Sequence, residues 1–369
     1  MFTGVIFADY QPKMKSEKPC VLHKICGREL IERVKSTLLL SGAEAVCIKG
    51  SDADRLTEKS DVKLSGTAVI INGAAPLVTE KTVKAALEYH TAQKNICTRL
   101  ICGGDCIGAV TDAKNIGNDF NDVINSADGE YASEEESVIV TDRAALLRAE
   151  KIMLGRLLAY HMQNGVTFHF PESVYIEDDV KIGADTEIGA NTELFAGTEI
   201  GSGCVIAMGS RLDGAKIGDN VEILSSVVLN SKIDSGTHIG PFAYVRPNCT
   251  VGKNVKVGDF VEIKNSVIDD GTKISHLTYI GDSDVGKNVN FGCGTVTCNY
   301  DGKNKFRSKI GDNSFVGCNT NLVSPVEVGA RSYIAAGSTI TEDIPEGSLS
   351  IARARQVNKD GWADAHKKY

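Results

Sequence analysis

Long apolar runs are missing from this sequence, and so are long runs of basic residues. No hydrophobic stretch is long enough to cross a bilayer, and the formal net charge is −8. Neither a membrane span nor a nucleic-acid-binding surface is therefore expected. The opening stretch MFTGVIFADYQPKMK has no cationic residue before its short apolar run, unlike a signal peptide. A cytoplasmic protein is expected.

The cysteines do not form an even set. The 11 cysteines are scattered through the chain, and this pattern predicts free thiols in a reducing compartment rather than a disulfide framework. Cys102 and Cys106 are the only close pair outside the repeats described below. Because no histidine or second cysteine pair lies near them, CGGDC is predicted to be a glycine-rich turn and not a metal or redox site.

Residues 1–142 alternate two kinds of segment. The runs GVIFA, AEAVCIKG, TAVIING and ESVIVT are typical of strands, and GRELIERVKSTLLLSG and TEKTVKAALEYHTAQK are typical of helices. This alternation predicts a Rossmann-like α/β domain with a largely parallel sheet, short for its class. Residues 143–165 are predicted to form a connector helix, which Asp142 caps and Gly165 follows.

From residue 166 an aliphatic residue returns every six positions. The series runs through Ile176, Ile182, Ile188, Leu194, Ile200 and Ile206 and, after slips of one residue, continues to Ile340. A period of six is typical of a hexapeptide β-helix, in which three hexads close a triangular coil and the aliphatic side chains fill its interior. The predicted β-helix covers residues 166–346, and residues 347–369 form a C-terminal tail.

The stretch TCNYDGKNKF interrupts this period. Phe291 and Ile310 are nineteen residues apart where six are expected, so about thirteen residues, including this stretch, are predicted to leave the coil as an arm. Loops that a rigid scaffold holds out are disproportionately functional. The arm is therefore a candidate part of a binding site.

Polar residues interrupt the pattern on nearby coils. Arg246 and Lys264 are eighteen residues apart, one full coil, and are expected to stack at one edge, where two cations suit a phosphate. His276 and Tyr279, followed by Asn290, lie on the next turns, and an imidazole suits proton abstraction near neutral pH. The alternatives are two solvated surface cations and a histidine that only forms hydrogen bonds at a corner.

Several segments resemble one known family closely. They are GPFAYVRP, VKVGDFVEIKNS, SHLTYIGDSDVGKNVNFGCGTVTCNYDGKNKF, IGDNSFVG, NLVSPVEVG and IAAGSTITEDIP. They are similar to the C-terminal half of the bifunctional N-acetylglucosamine-1-phosphate uridyltransferase and glucosamine-1-phosphate N-acetyltransferase family. The resemblance implies a left-handed β-helix, a homotrimer, and acetyl transfer from acetyl-CoA to glucosamine 1-phosphate without a metal. The product, N-acetylglucosamine 1-phosphate, would serve UDP-N-acetylglucosamine and cell-wall precursor synthesis.

The resemblance also implies roles for individual residues. Arg246 and Lys264 would hold the phosphate of the sugar, Tyr279, Asn290 and Lys305 would surround the sugar, and His276 would be the general base. The coenzyme side would comprise Cys293, Asn299, Tyr300, Cys318, Ala336 and Arg353. Cys293 and Cys318 replace the alanine and serine that are common in the family, and Arg355 replaces a proline.

The first domain resembles the uridyltransferase half more faintly, through MKSEKPCVLHKICGREL and GAAPLVT. The glycine-rich nucleotide loop of the family reads DYQPK here, from Asp9 to Lys13; Cys20 replaces a lysine and Ala74 replaces a metal-binding aspartate. Residues 141–143 replace the Asn-Asn-Arg of the family. Loss of the uridyltransferase activity is expected. The alternatives are an enzyme that is still bifunctional and a non-catalytic scaffold that binds a nucleotide sugar.

Overall fold

The computed structural model describes residues 2–56 and 64–366. The chain divides into two compact units, one formed by Met1–Tyr160 with Ile176–Asp178 and the other by His161–Tyr175 with Asp179–Tyr369. Among the described residues, no helix has both the length and the apolar content needed to cross a membrane.

The first unit alternates strands and helices. Its strands are β1 (Phe2–Phe7), β2 (Lys24–Ile25), β3 (Arg28–Glu29), β4 (Ala43–Lys49), β5 (Thr67–Asn72), β6 (Cys97–Cys102), β7 (Asp105–Asp112) and β8 (Gly129–Ser133). Its helices are α1 (Leu30–Leu40), α2 (Glu80–Gln93), α3 (Phe120–Asn125) and α4 (Arg143–Gln163), with short 3-10 turns at Pro12–Met14, Cys20–Leu22, Ala53–Arg55 and Ala113–Asn115. The predicted α/β class is confirmed.

Six of these strands form one sheet in the order β4, β1, β5, β7, β6, β8. β1 is parallel to β4 and β5, and β6 is parallel to β8, but β7 is antiparallel to both β5 and β6. The sheet is therefore largely parallel, as predicted, because five of its six strands run in one direction; β7 alone is reversed. The cause is CGGDC, where Gly103 and Gly104 adopt φ angles of 59° and 85° and reverse the chain between β6 and β7. This segment is a glycine-rich turn, as predicted.

The prediction of a strand in ESVIVT is wrong. Residues 136–141 form no strand, and β8 lies at the edge of the sheet instead. Val140 is buried and donates its amide hydrogen to the carbonyl oxygen of Ala74 at 2.8 Å. The β-branched residues of this segment therefore reflect burial in the core rather than pairing in a sheet.

α4 begins at the predicted residue, Arg143, and ends at Gln163, two residues before the predicted end. The side-chain oxygen Oδ1 of Asp142 accepts the amide hydrogen of Ala145 at 2.8 Å, which satisfies one of the free donors of the first turn. Gly165 follows the helix with a φ of 87°, a conformation that glycine adopts without strain.

The second unit is a parallel β-helix with three faces, as the hexapeptide pattern predicts. The first face has 10 strands among the described residues: Tyr175–Ile176, Glu193–Leu194, Arg211–Asp213, Val227–Leu229, Tyr244–Val245, Glu262–Lys264, Tyr279–Gly281, Val296–Cys298, Asn321–Val323 and Thr339–Ile340. The second has 9: Lys181–Ile182, Glu199–Ile200, Lys216–Ile217, Lys232–Ile233, Thr250–Val251, Val267–Ile268, Ser283–Val285, Ser308–Ile310 and Glu327–Val328.

The third face has 11 strands in the described part of the chain: Thr167–Phe168, Glu187–Ile188, Val205–Ile206, Glu222–Ile223, His238–Ile239, Lys256–Asp259, Lys273–His276, Asn290–Phe291, Phe315–Val316, Tyr333–Ile334 and Leu349–Ser350. A 3-10 turn, Pro171–Ser173, lies near the start, and a short helix, α5 (Trp362–His366), lies in the tail. The chain visits the third, first and second faces in turn, so each residue has a counterpart about one coil away.

Aliphatic residues stack inside the coils. Ile188 pairs with Ile206, and Val245 pairs with Ile263, each pair eighteen positions apart and fully buried. The small residues four positions after the aliphatic ones are buried too, and the hydroxyl of Thr186 donates to the carbonyl oxygen of Gly201 at 2.8 Å. These hydroxyls satisfy backbone groups at the corners, where the ladders of the faces are interrupted.

The arm is shorter than predicted. Ile268 pairs with Val285 seventeen positions later, and Val285 pairs with Ile310 twenty-five positions later, so the arm adds seven or eight residues and not thirteen. Thr297 takes the inward position of the missing hexad and is buried. This is possible because its hydroxyl accepts the amide hydrogen of Gly281 at 2.7 Å.

Candidate functional site

Three cationic side chains meet at one edge of the β-helix. Arg246 follows a first-face strand and Lys264 ends the paired strand on the next coil. The arm brings Lys305 to them. We call the edge where the chain leaves the first face for the second the cation edge. The guanidinium of Arg246 donates to Glu262 at 2.9 Å, and the ammonium of Lys264 donates to Asp282 at 3.1 Å.

The charges at the cation edge influence one another. The hydrogen bond and positive charge of Lys264 lower the pKa of Lys305, and the charge of Arg246 adds to this effect. Burial opposes the charge of Lys264, but its contacts, Asp282 foremost, raise the pKa of Lys264 above its ordinary value. An anion placed here would relieve the repulsion between the cations.

The arm is anchored at the same edge. Asn299 is buried, and its side-chain amide donates to Asp282 and, at 3.4 Å, to the hydroxyl of Tyr279. The backbone amide of Phe306 closes the base of the arm by donating to the carbonyl oxygen of Asn299 at 2.9 Å. Tyr279 and Asn299 therefore lie beside the cations.

The tip of the arm is a small antiparallel hairpin. Tyr300 and Lys305 form an isolated bridge, and the carboxylate of Asp301 accepts the amide hydrogens of Lys303 and Asn304 at 2.8 and 2.6 Å. Tyr300 is exposed. The hairpin gives the tip a defined conformation through hydrogen bonds and not through apolar packing.

A second group of residues lies at the opposite edge of the first face. His276 ends a third-face strand that pairs with the strand ending at Asp259, and its Nδ1 is 2.6 Å from Oδ1 of Asp259. The hydrogen bond from His276 lowers the pKa of Asp259, so the carboxylate is charged and Nδ1 is the donor. In the neutral form of the ring, Nε2 is then the proton acceptor.

We call the edge where the chain leaves the third face for the first the histidine edge. On the coils after His276, the equivalent positions are Cys293, Cys318 and Ala336. The amide of Asn319 donates to the carbonyl oxygen of Cys293, and that of Gly337 donates to the carbonyl oxygen of Cys318, each at 2.8 Å. These bonds show that the residues form one column.

The tail runs beside the end of this column. The amide of Thr339 donates to the carbonyl oxygen of Ala352 at 3.1 Å, and the amide of Ala352 donates to the hydroxyl of Ser338 at 3.2 Å. Arg353 follows directly and is exposed. The tail thus holds Arg353 at the histidine edge.

The structure sorts the residues singled out from the sequence into two groups. At the cation edge it brings together Arg246, Lys264, Tyr279, Asn299 and Lys305, with Tyr300 at the tip of the arm. At the histidine edge it brings together His276, Cys293, Cys318, Ala336 and Arg353. Asn290 lies on the third face, in the strand paired with Lys273–His276. Their roles remain predictions.

Sequence reasoning missed the acidic partners of these residues. Asp259, Glu262 and Asp282 each bind one of the candidate residues, His276, Arg246 and Lys264 respectively. Each acidic residue is sixteen to eighteen positions from its partner, which is about one coil. A search for opposite charges one coil apart would have found all three pairs.

The first unit contains a cleft of about 880 Å³, lined in part by Asp9, Lys49, Asn72 and Asp119. It lies where β1 and β5 end, the usual position of ligands in sheets of this class. Oδ1 of Asp9 accepts the backbone amide hydrogen of Ser51 at 3.0 Å. One backbone donor at the mouth of the cleft is therefore already satisfied by a carboxylate.

Three family models match parts of the chain. They are the hexapeptide repeat of succinyl-transferase at residues 175–213, the GMPPB C-terminal domain at 227–300, and the bacterial transferase hexapeptide (six repeats) at 307–342. A solved structure of Arabidopsis UDP-N-acetylglucosamine acyltransferase matches with a TM-score of 0.30 and 15% identity, over 51% of this chain and 69% of that one.

Relatives that align over nearly the whole chain are more similar to it than that structure is. The protein named "Bifunctional protein GlmU" of Clostridium kluyveri is 38% identical over 97% of this chain and 97% of its own length. Its namesake in Acetivibrio thermocellus is 40% identical over 97% of this chain and 96% of its own length. Both alignments span 442 positions, more than the 369 residues of this chain, so the relatives carry residues that this chain lacks. By the extent and degree of this identity, the chain belongs to the GlmU family.

Proposed function

We propose that the β-helix transfers the acetyl group of acetyl-CoA to the amine of glucosamine 1-phosphate, giving N-acetylglucosamine 1-phosphate. The relatives are named as bifunctional GlmU proteins. The observation that carries the proposal is the presence on one face of a three-cation edge and an Asp259–His276 pair. One suits a phosphate and the other suits removal of a proton from an amine.

The cation edge would bind the phosphate. Arg246 presents a planar guanidinium that forms paired hydrogen bonds with phosphate oxygens, and Lys264 and Lys305 add point charges. A doubly charged phosphate ester offsets the repulsion that lowers the pKa of Lys305. Tyr279, whose hydroxyl lies near Asn299, is positioned to contact the sugar next to the phosphate.

The histidine edge would supply the base. The amine of the substrate is an ammonium group in neutral water and must lose a proton before it can attack. Nε2 of His276 accepts that proton, while Asp259 stabilises the resulting imidazolium and fixes the orientation of the ring. The amine then attacks the thioester carbonyl carbon to give a tetrahedral intermediate. As this intermediate collapses, the C–S bond breaks, the nitrogen releases its second proton to water, and the departing thiolate of coenzyme A takes the proton from His276.

A single chain would not complete this site. His276 precedes and Asp282 follows the first-face strand Tyr279–Gly281, so the width of one face, up to about 20 Å for six residues at about 3.3 Å each, separates them. The phosphate and the amine of glucosamine 1-phosphate are on adjacent ring carbons, so one substrate molecule cannot reach both edges of one chain. We infer that the cation edge of one copy meets the histidine edge of another, as in the homotrimer that the family resemblance implies.

An apolar ladder beside the histidine edge supports an assembly of copies. Phe242, Phe260 and Leu277 occupy equivalent corners of three consecutive coils, and they are 59%, 58% and 56% exposed. The rings of Phe242 and Phe260 stack with centroids 5.6 Å apart. All three residues have positive φ angles. The equivalent corners of the following two coils are occupied by Gly294 and Asn319, which adopt such angles more readily. Bulky apolar residues in this strained, exposed conformation are expected where a second copy covers them.

The test is an acetyl-transfer assay that measures free thiol released from acetyl-CoA. Glucosamine 1-phosphate is compared with glucosamine, glucosamine 6-phosphate and galactosamine 1-phosphate. We expect thiol release with glucosamine 1-phosphate and much less with glucosamine, which lacks the phosphate that the cation edge would hold. Equal rates with glucosamine and its 1-phosphate would refute the phosphate role. No thiol release with any of the four acceptors would refute the proposed function.

The first domain raises a separate question. The match to bifunctional relatives extends over both units, which favours the alternative of a retained uridyltransferase over its loss. Local features of the first domain oppose a retained uridyltransferase activity. Cys20 is buried, and burial raises the pKa of its thiol to about 11, so this residue is neutral where the family has a lysine. Asp9 places a negative charge at the cleft.

The magnesium ion that the uridyltransferase half of the family requires does not fit the residues present. Ala74 is buried and has no side-chain oxygen. Oδ1 of Asp142 is engaged by the amide of Ala145 at the start of α4. A coupled pyrophosphate assay with UTP, N-acetylglucosamine 1-phosphate and magnesium tests the expected loss. Turnover of about 1 to 10³ per second, the usual enzyme range, would establish the bifunctional alternative.

A further inference from the structure

Two thiols lie at equivalent positions on neighbouring coils of the histidine edge. Asn290–Phe291 pairs with Phe315–Val316 in register, and the amide of Asn319 donates to the carbonyl oxygen of Cys293 at 2.8 Å. Phe291 and Val316 are partners in this pairing, and Cys293 and Cys318 lie two residues after them. The two cysteines therefore stack. Neighbouring strands are about 4.8 Å apart, within the Cα separation of about 4.4 to 6.8 Å that disulfides span.

In the single chain these two thiols are also accessible. Cys318 is exposed and Cys293 is half-buried. By contrast, burial raises the pKa of eight other thiols, which are Cys20, Cys26, Cys47, Cys97, Cys102, Cys106, Cys204 and Cys249. A raised pKa lowers the fraction of thiolate, which is the reactive form.

The eleventh thiol, Cys298, provides a natural comparison. It is half-buried, like Cys293, and it ends a first-face strand near the cation edge. Its counterparts on the neighbouring coils are Gly281 and Val323. Cys298 therefore has similar exposure but no thiol on the adjacent coil.

We propose that Cys293 and Cys318 are a modification site that forms a reversible disulfide on reaction with a low-molecular-weight disulfide. The Cys318 thiolate attacks one sulfur of the small disulfide, and the first small thiolate leaves. The Cys293 thiolate then attacks the Cys318 sulfur, and the second small thiolate leaves. The departing thiolates take up the protons that the cysteines released, so two cysteine thiols are oxidised and one small disulfide is reduced to two thiols.

The disulfide would change the histidine edge. Cys293 is on the coil next to His276, and the proposed coenzyme side continues through Cys318 to Ala336. A bond between the two sulfurs draws both side chains together along this column and removes their contacts with a bound coenzyme. Loss of acetyl transfer on oxidation rests on the proposed function, whereas formation of the disulfide does not.

The experiment uses the full chain and oxidised glutathione as the probe. After incubation, free thiols are blocked by alkylation, and the protein is digested without reduction and analysed by mass spectrometry. We expect a peptide pair that links Cys293 to Cys318 and that disappears after treatment with dithiothreitol. At Cys298 we expect at most a glutathione adduct, because no second thiol is present to displace glutathione.

A Cys293→Ala variant tests the second step. Without the resolving thiol, Cys318 is expected to retain glutathione as a stable mixed disulfide, whereas the parent protein passes through this adduct only briefly. The same variant serves as its own folding control, because a glutathione adduct at Cys318 shows that the histidine edge is folded and that the thiol is accessible. A persistent glutathione adduct at Cys318 in the parent protein would show that the two sulfurs do not meet, and the proposal would be wrong.

Activity provides the second readout. Acetyl transfer by the parent protein is expected to fall in proportion to the cross-linked fraction and to recover with dithiothreitol. A Cys318→Ser variant is expected to keep the same rate before and after the treatment, whatever that rate is. A complete cross-link with an unchanged rate would confirm the disulfide and refute the placement of the coenzyme at this edge.

Discussion

Replacing Asp282 with asparagine is expected to destabilise the β-helix by about 3 kcal/mol. The Asp282 side chain is only 8% exposed and accepts hydrogen bonds from Lys264, Asn265 and Asn299. Loss of a hydrogen bond to a charged group costs about 1.5–3 kcal/mol, and a buried donor left facing the new amide group costs about 1–3 kcal/mol. Relaxation of the site offsets part of this sum.

The matched control is Glu327→Gln. Glu327 pairs with Lys309 at 2.7 Å, but the two side chains are 63% and 64% exposed. An exposed pair contributes about 0–1 kcal/mol, so this variant should unfold close to the parent. Urea denaturation followed by far-ultraviolet circular dichroism measures both variants. Equal midpoints for Asp282→Asn and Glu327→Gln would refute the role assigned to the buried pair.

The effect should depend on pH. Burial opposes ionisation of Asp282, but hydrogen bonds from Asn265 and Lys264 hold its pKa below the ordinary value. Because the pKa is lowered by folding, the stabilisation is complete above the ordinary carboxyl pKa of about 3.9. It is lost as the pH falls through the lower folded-state value. The difference between the parent and Asp282→Asn should therefore be constant near neutral pH and shrink in acid.

Four further predictions concern the proposed site. His276→Ala should remain folded and lose about 10²-fold or more in kcat, the usual effect of removing a general base; a well-folded, active variant would contradict this role. Lys264→Ala should raise KM for glucosamine 1-phosphate about tenfold or more and leave KM for acetyl-CoA unchanged. Deletion of Tyr300–Lys305 should abolish activity without lowering the thermal midpoint, since the tip adds no apolar layer; a lower midpoint would make the arm structural. Phe260→Asn should give folded monomers in light scattering, because asparagine tolerates the left-handed conformation, and a normal oligomer would refute the role of the ladder.

The sequence by itself determined the repeating architecture. With one aliphatic residue every six positions, the chain can bury these side chains only by turning after each hexad. Residues one coil apart must then stack, so the number of a residue also gives its face. This is why Arg246 and Lys264 could be placed together.

The sequence did not determine the exceptions to these patterns. Thr297 takes an aliphatic position because Gly281 satisfies its hydroxyl, and period counting missed it and overestimated the arm. ESVIVT has the composition of a strand, but the edge of the sheet is taken by β8. The composition of a segment indicates that it is buried. Whether it pairs as a strand depends on which segment occupies the edge of the sheet.

Only the tertiary structure decided how the candidate residues are distributed. The hydrogen bonds of Asp259 to His276 and of Asp282 to Lys264 depend on side chains from different coils, and so does the stacking of Cys293 on Cys318. The same stacking places His276 and Lys264 at opposite edges of one face. The physical reason is that the period of six fixes each residue relative to its own coil, while a binding site depends on distances across coils and faces, which the fold alone sets.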